Sequence, residues 1–203
     1  YLALSPDTVF LKNYYPLTNN SQIAIQTLPF FYNDSGTCAL YCNGLLLDRL
    51  SYKHTWHSPL LTDTEGVSLE RLDATMPTQS AQNWFSAAQS VGFASPGRAN
   101  SQQLGSKQTG ALYLVNTEFS PDQDGYHDFL EIHYELPAPN MLVQATIFTM
   151  GGQLVKQLCI NELFGTSGLL IWDGSTEYGS IANTGIYILE FKAFSTDPSL
   201  FFN

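Results

Sequence analysis

The strongest constraint on this chain is a polar turn that runs into a strictly alternating segment. Phe119-Ser120-Pro121-Asp122-Gln123-Asp124-Gly125-Tyr126-His127-Asp128 mixes Pro, Gly and carboxylates, and the segment Phe129 to Pro137 follows at once. In that segment Leu130, Ile132, Tyr134 and Leu136 fall on one side, and Glu131, His133 and Glu135 on the other. A period of two suits a strand with one buried face, whereas a helix would scatter the same residues around its surface. Similar alternation recurs in Leu142 to Met150 and in Gly185 to Phe194, with Gly151-Gly152 and Asp173-Gly174 as turns. Gly168 to Trp172 reads as a further strand.

The first half reads as β with a short helix. Tyr1 to Ser5 alternates. Pro6 to Tyr15 suits one short helix, capped by Ser5, started at Pro6 and stopped by Pro16. Ser21 to Gln26 and Gly36 to Cys42 read as strands, and Asn43-Gly44 is a type I′ hairpin signal leading into Leu45 to Tyr52. A polar loop spans His54 to Gly66. The strand Val67 to Asp73 and an extended segment from Asn83 to Ala88 come next. The polar stretch Gln102 to Thr109 marks a boundary near 103–109, so the expected organisation is one domain over 1–105 and another over 106–203.

Composition narrows the function classes. The chain has 203 residues, only 13% of them charged, and a net charge of −10. An acidic surface repels phosphate backbones and anionic headgroups, so neither nucleic acid nor an anionic membrane is an expected partner. No apolar run is long enough to span a bilayer, so no membrane insertion is expected. The chain starts at Tyr1 without Met, which reads as part of a longer protein. Cys38, Cys42 and Cys159 have no zinc-ligand spacing. Four residues apart on one strand, Cys38 and Cys42 stand roughly 13 Å from each other and cannot bridge. All three are expected as buried or half-buried free thiols.

Three groups of residues suggest chemistry. Asp122, Asp124 and Asp128 around Gly125 offer carboxylate oxygens suited to calcium, although an Asx-type turn explains the same residues. His54, His57, Asp63 and Glu65 share one loop and are candidates for an acid–base or metal site, set against a loop packed down by Trp56, Leu60 and Leu61. Glu70 and Arg71 are adjacent, so on a strand they face opposite ways and need separate partners. Trp172 and Tyr187 read as core, the tyrosine with its hydroxyl on nearby backbone. Dense aromatics, Phe30-Phe31-Tyr32 among them, are candidates for a binding patch. No nucleophile elbow or phosphate loop is present.

Two motif sets carry family resemblances. Thr64-Glu65-Gly66-Val67-Ser68-Leu69-Glu70-Arg71, Asn83-Trp84 and Gly92-Phe93-Ala94-Ser95-Pro96-Gly97-Arg98-Ala99-Asn100 resemble the closing half of a bacterial lamin-tail domain. Phe119-Ser120-Pro121, Asp124-Gly125, Asp128, Trp172-Asp173-Gly174, Gly179 and Thr184-Gly185-Ile186-Tyr187 resemble the immunoglobulin-like domain of the flagellar hook-capping protein FlgD and its relatives. These resemblances imply an all-β chain of two tandem immunoglobulin-like β-sandwiches, the first lacking its opening strands. They also imply a non-enzymatic scaffold or adhesion module, secreted or at the cell surface or periplasm of a Gram-negative bacterium, with protein or glycan partners and no cofactor beyond that calcium. An accessory, non-catalytic module of a larger secreted hydrolase or nuclease is the other expectation. A catalytic metal site around His57 and Asp63 is the third.

Overall fold

The computed structural model describes residues 1–15, 23–103, 109–197 and 199–203. The chain is mostly β, with thirteen strands and one α-helix among those residues. It divides into two compact units, Tyr1–Leu104 and Gly105–Asn203. The expected helix stop at Pro16, and most of the polar stretch 102–109, lie outside the described residues.

Gly105–Asn203 is a two-sheet sandwich. One sheet has the order β10-β9-β12-β13, built from β9 (Met141–Thr149), β10 (Leu154–Phe164), β12 (Tyr187–Phe194) and β13 (Phe201–Phe202). The other has the order β11-β8-β7, from β7 (Ala111–Leu114), β8 (Leu130–Glu135) and β11 (Ser167–Trp172). The alternation in β8 works as its sequence demands: Leu130, Ile132 and Tyr134 are buried, and Glu135 is exposed. Tyr134 and Leu136 meet Met141, Val143, Phe164 and Phe191 in one core cluster, while Leu130, Ile132, Ile147, Val155 and Trp172 form a second. Gly168 pairs with Tyr134 across β11 and β8, and any Cβ there would collide with the tyrosine ring. Irregular register along β10 lets this strand run past Leu158 to Phe164.

Tyr1–Leu104 is different. Its described strands form separate two-stranded ladders. β1 (Ala3–Ser5) pairs parallel with β2 (Ile23–Ile25), β3 (Ser35–Cys42) antiparallel with β4 (Leu45–Lys53), and β5 (Leu69–Arg71) antiparallel with β6 (Trp84–Ser86). The expected strand Val67 to Asp73 is therefore shorter, and the described residues do not make two facing sheets. Asn43 and Gly44 both take positive φ, as the hairpin turn requires. The helix α1 (Thr8–Tyr14) starts two residues later than expected. Asp7, not Ser5, is its N-cap: its Oδ1 accepts the Phe10 N–H at 2.8 Å, while Ser5 Oγ accepts the Asp7 N–H at 3.0 Å. The carboxylate sits three residues before an open N–H, which a hydroxyl at position 5 does not reach.

The interior of this unit is polar. Among the described residues its buried positions are Ala87, Ala88 and Gly97 together with Ser58, Glu70, Asn83, Ser86 and Gln102. Large apolar side chains lie outside instead, including Leu2, Ile25, Phe30, Tyr32, Leu40, Tyr41, Leu45 and Leu47. Cys38 and Cys42 are exposed as well, which corrects the expectation of buried thiols; only Cys159 is buried. The hairpin that carries the first two has no sheet packed on either face among the described residues, so alternation alone could not bury them.

Candidate functional site

The buried Glu70 organises the motifs of the first unit. Its Oε1 accepts the Ser95 hydroxyl. Its Oε2 accepts the Ser101 N–H at 2.7 Å, the Ser101 hydroxyl at 2.6 Å and the Gln102 N–H at 3.3 Å. Ser101 Oγ in turn accepts the Ala88 N–H at 2.9 Å. On the opposite side of β5, Arg71 meets Asp48 at 3.6 Å and donates to the Met76 carbonyl at 2.6 Å. Asn83, fully buried, clamps Asp73: its Oδ1 accepts the Asp73 N–H and its Nδ2 donates to the Asp73 carbonyl, both at 2.9 Å. Asn100 Nδ2 donates to the Arg71 carbonyl at 2.7 Å. Glu70, Asn83 and the Ser95 to Asn100 segment thus hold loops together by hydrogen bonds. That explains these residue types without a reaction.

A cleft of about 740 Å³ lies beside this network. Its walls include Phe31, Tyr32, Tyr52 and Trp84, and its rim carries His54, His57, Asp63 and Glu65. The loop expected to hold a site therefore does line a cavity. Its titratable groups do not converge at ligand distance; among the described residues Asp122, Asp124 and Asp128 are the cluster that does. His57 Nδ1 lies 2.9 Å from Ser86 Oγ, which also accepts the Ser58 N–H at 2.9 Å. Ser86 is fully buried, so this pair fastens the loop and leaves the hydroxyl no access to a substrate. Among the described residues no Lys or Arg lines the cleft, and Asp63 and Glu65 are exposed on it, so it suits neutral or cationic groups over anions.

Burial pulls the His57 imidazole below the ordinary histidine value of 6.5, and the neighbouring His54 adds to the shift. The unfolded chain then takes up a proton that the folded chain resists. Stability contributed by neutral His57 is present above about pH 6.5 and falls as pH drops from there through the lower folded value. Urea midpoints should therefore fall between about pH 7.5 and 5.5. His57→Gln should reduce that slope; equal slopes in the two proteins would contradict the assignment.

The second group sits at the tip of the turn before β8. Atoms of Asp122, Asp124 and Asp128 lie within 4.8 Å of one another. Asp122 Oδ1 accepts the Asp124 N–H at 3.3 Å, Asp124 Oδ1 the Tyr126 N–H at 2.7 Å, and Asp128 Oδ2 the Gly125 N–H at 2.9 Å. The first two are Asx-type bonds, as the turn reading requires, whereas Asp128 reaches back three residues to close the turn. Asp128 Oδ1 is buried without a hydrogen-bond partner among the described residues. Below the turn, Phe119 packs edge-on to Trp172 at 5.2 Å, and the Tyr187 hydroxyl donates to the Asn183 carbonyl.

Sequence reasoning missed Gln79. Its amide closes the outer edge of β4, accepting the Ser51 N–H and donating to the Ser51 carbonyl, both at 2.9 Å. A glutamine in a polar loop gives no sign of the strand it will bond.

No family model matches this chain, and no curated protein matches it. Among solved structures, the crystal structure of FLGD from P. aeruginosa is similar. It is 20% identical, covers 44% of this chain and 73% of its own, and superposes with a TM-score of 0.32. No described helix is long and apolar enough to cross a membrane.

Proposed function

We propose that this chain is a non-catalytic interaction module of a secreted or cell-envelope protein, with its partner surface on residues 1–104. The observation that carries this reading is the inversion within that unit: a hydrogen-bonded polar interior, with large apolar and aromatic side chains left outside. Exposed apolar surface of this kind costs free energy unless a partner covers it. Tyr32, 68% exposed, lines the cleft, Phe30, 80% exposed, packs edge-on against that ring at 5.0 Å, and the two supply the aromatic anchors that protein and glycan recognition both use. The immunoglobulin-like and lamin-tail assignments, and a Gram-negative source, belong to this proposal and rest on the motif resemblances. The serine, asparagine and glutamate of those motifs support it by serving as structural fasteners.

The test is capture from a cell-envelope extract by the immobilised chain, compared with a Phe30→Ser/Tyr32→Ser double variant. One protein or glycoconjugate enriched by the former and lost by the latter is the expected result. Equal recovery by both would overturn the cleft as the partner surface. An accessory role beside a secreted hydrolase or nuclease would appear as capture of that enzyme's substrate.

Calcium at Asp122, Asp124 and Asp128 is part of the same proposal, as a clamp on the turn. The unpartnered Asp128 Oδ1 favours it. Melting in millimolar calcium against chelator should raise stability by about 2.7 kcal/mol once calcium stands 100-fold over its Kd. Asp124→Asn, which keeps an oxygen for the Tyr126 N–H, should abolish most of the rise. An unchanged midpoint would remove calcium from the account.

A further inference from the structure

The β3–β4 hairpin has one closed edge and one open one. Ser51 of β4 turns its N–H and C=O outward to the Gln79 amide. Thr37 pairs with Ser51, and opposed residues in an antiparallel ladder share orientation. Thr37, and by the period of two Ala39 and Tyr41, therefore turn their N–H and C=O away from β4. Among the described residues no strand pairs with that side of β3. An uncovered two-stranded hairpin is marginal in water. Native edge strands are usually guarded by charge, Pro or a bulge in the edge itself; Ser35 to Cys42 has neither charge nor Pro, and the register irregularity of this ladder, between Leu40 and Tyr41, puts its extra residue, Leu47, on β4 and not on the edge. From Asn13 to Leu47 the one charged residue is Asp34, so nearly all of the net charge of −10 sits elsewhere and does not oppose two such edges meeting.

We propose that two copies of this chain pair edge to edge through β3, antiparallel about a two-fold axis at Leu40. In this register Ala39 faces the partner's Tyr41 and exchanges backbone hydrogen bonds with it, since both turn their groups outward. Leu40, 59% exposed, meets its own copy, so that the interface is self-complementary. Cys38 then stands opposite the partner's Cys42, twice. Both cysteines turn their backbone groups toward β4, which makes these non-hydrogen-bonded pairs with Cα atoms about 4.5 Å apart. That separation lies within the disulfide range of about 4.4–6.8 Å. A register centred on Ala39 would set Cys38 against Leu40 instead. The Tyr52 ring crosses Gly36 to donate to the Tyr32 carbonyl at 2.7 Å, which places residues 30–33 at the Gly36 end and confines the pairing to 38–42. The inference rests on the interaction-module reading, in that it assigns one occupant to part of the exposed surface.

The cysteines make the register measurable. In a buffer of reduced and oxidised glutathione, each disulfide formed consumes two protein thiols and one glutathione disulfide and releases two glutathione thiols. The wild-type chain should yield a covalent dimer on a non-reducing gel. Cys38→Ser alone and Cys42→Ser alone should stay monomeric, because each removes one member of both pairs. An equimolar mixture of the two should regain a dimer joined once. Cys159 is buried and its thiol is pushed up to about 12, so Cys159→Ser should cross-link like the wild type. Cross-linking by Cys42→Ser alone would mean a Cys38–Cys38 register and overturn the axis at Leu40. Glutathione adducts of monomer only, from the wild type, would overturn the pairing itself. Leu40→Lys should lose the dimer and keep envelope capture, and the wild type separates the two readings: capture with no dimer ends only this inference, and a dimer with no capture ends only the partner reading.

Discussion

Glu70→Ala should lower the stability of residues 1–104 by on the order of 3–5 kcal/mol, one of the two largest effects expected of a single substitution in this chain. The carboxylate is 4% exposed and accepts from Ser95, Ser101 and Gln102. Removing it strands those donors in a buried place, and an unmade buried bond costs more than a made one contributes. Glu70→Gln should cost less, since it keeps the volume and one acceptor while placing an NH₂ among donors. Urea unfolding followed by circular dichroism gives the comparison. A cost below about 1 kcal/mol for the alanine variant would show that water replaces the network without penalty.

Trp172→Ala should cost about 3–5 kcal/mol, felt in residues 105–203. The ring is 2% exposed, packs against Leu130, Ile132, Ile147 and Val155, and meets Phe119 and Tyr187 edge-on at 5.2 and 5.1 Å. Its Nε1 also donates to the Ser175 carbonyl at 2.9 Å. Truncation leaves a large cavity and an orphan acceptor together. Trp172→Phe keeps most of the ring contacts and loses the N–H, so about 1–2 kcal/mol should separate it from wild type. Equal midpoints for Phe and Ala would mean that the core collapses around the gap, against the tight packing described.

The two halves differ in how far their sequences could be read. In 105–203 apolar residues alternate along strands that pack face to face, so Leu130, Ile132 and Tyr134 announced the core before any coordinates. The bulges of β10 were hidden, because an irregular register leaves no mark on composition. In 1–104 the burial pattern runs against hydropathy. Glu70 and Asn83 are interior while Leu40 and Leu47 are not, and period counting misplaces both. The candidate groups were read in part. Asp122, Asp124 and Asp128 do converge, since six residues and a glycine confine them to one turn. His54, His57, Asp63 and Glu65 share a cleft wall without sharing a ligand point, and spacing along a loop cannot distinguish those two outcomes. Gln79 and Ser101 became visible only with the strands they fasten.

On the proposed function, the apolar surface of residues 1–104 is uncovered in the isolated chain and covered once a partner binds. Amide hydrogen exchange tests it most directly, on reduced protein dilute enough to stay monomeric, with β9 as the internal reference. Rapid exchange is expected at Thr37, Ala39 and Tyr41, whose N–H groups face away from β4, and slow exchange through Met141–Thr149. These amides should slow when the captured partner or a high concentration of the chain itself is added. Hairpin edge amides as protected as β9 in the dilute chain would contradict it, because that surface would then already be covered.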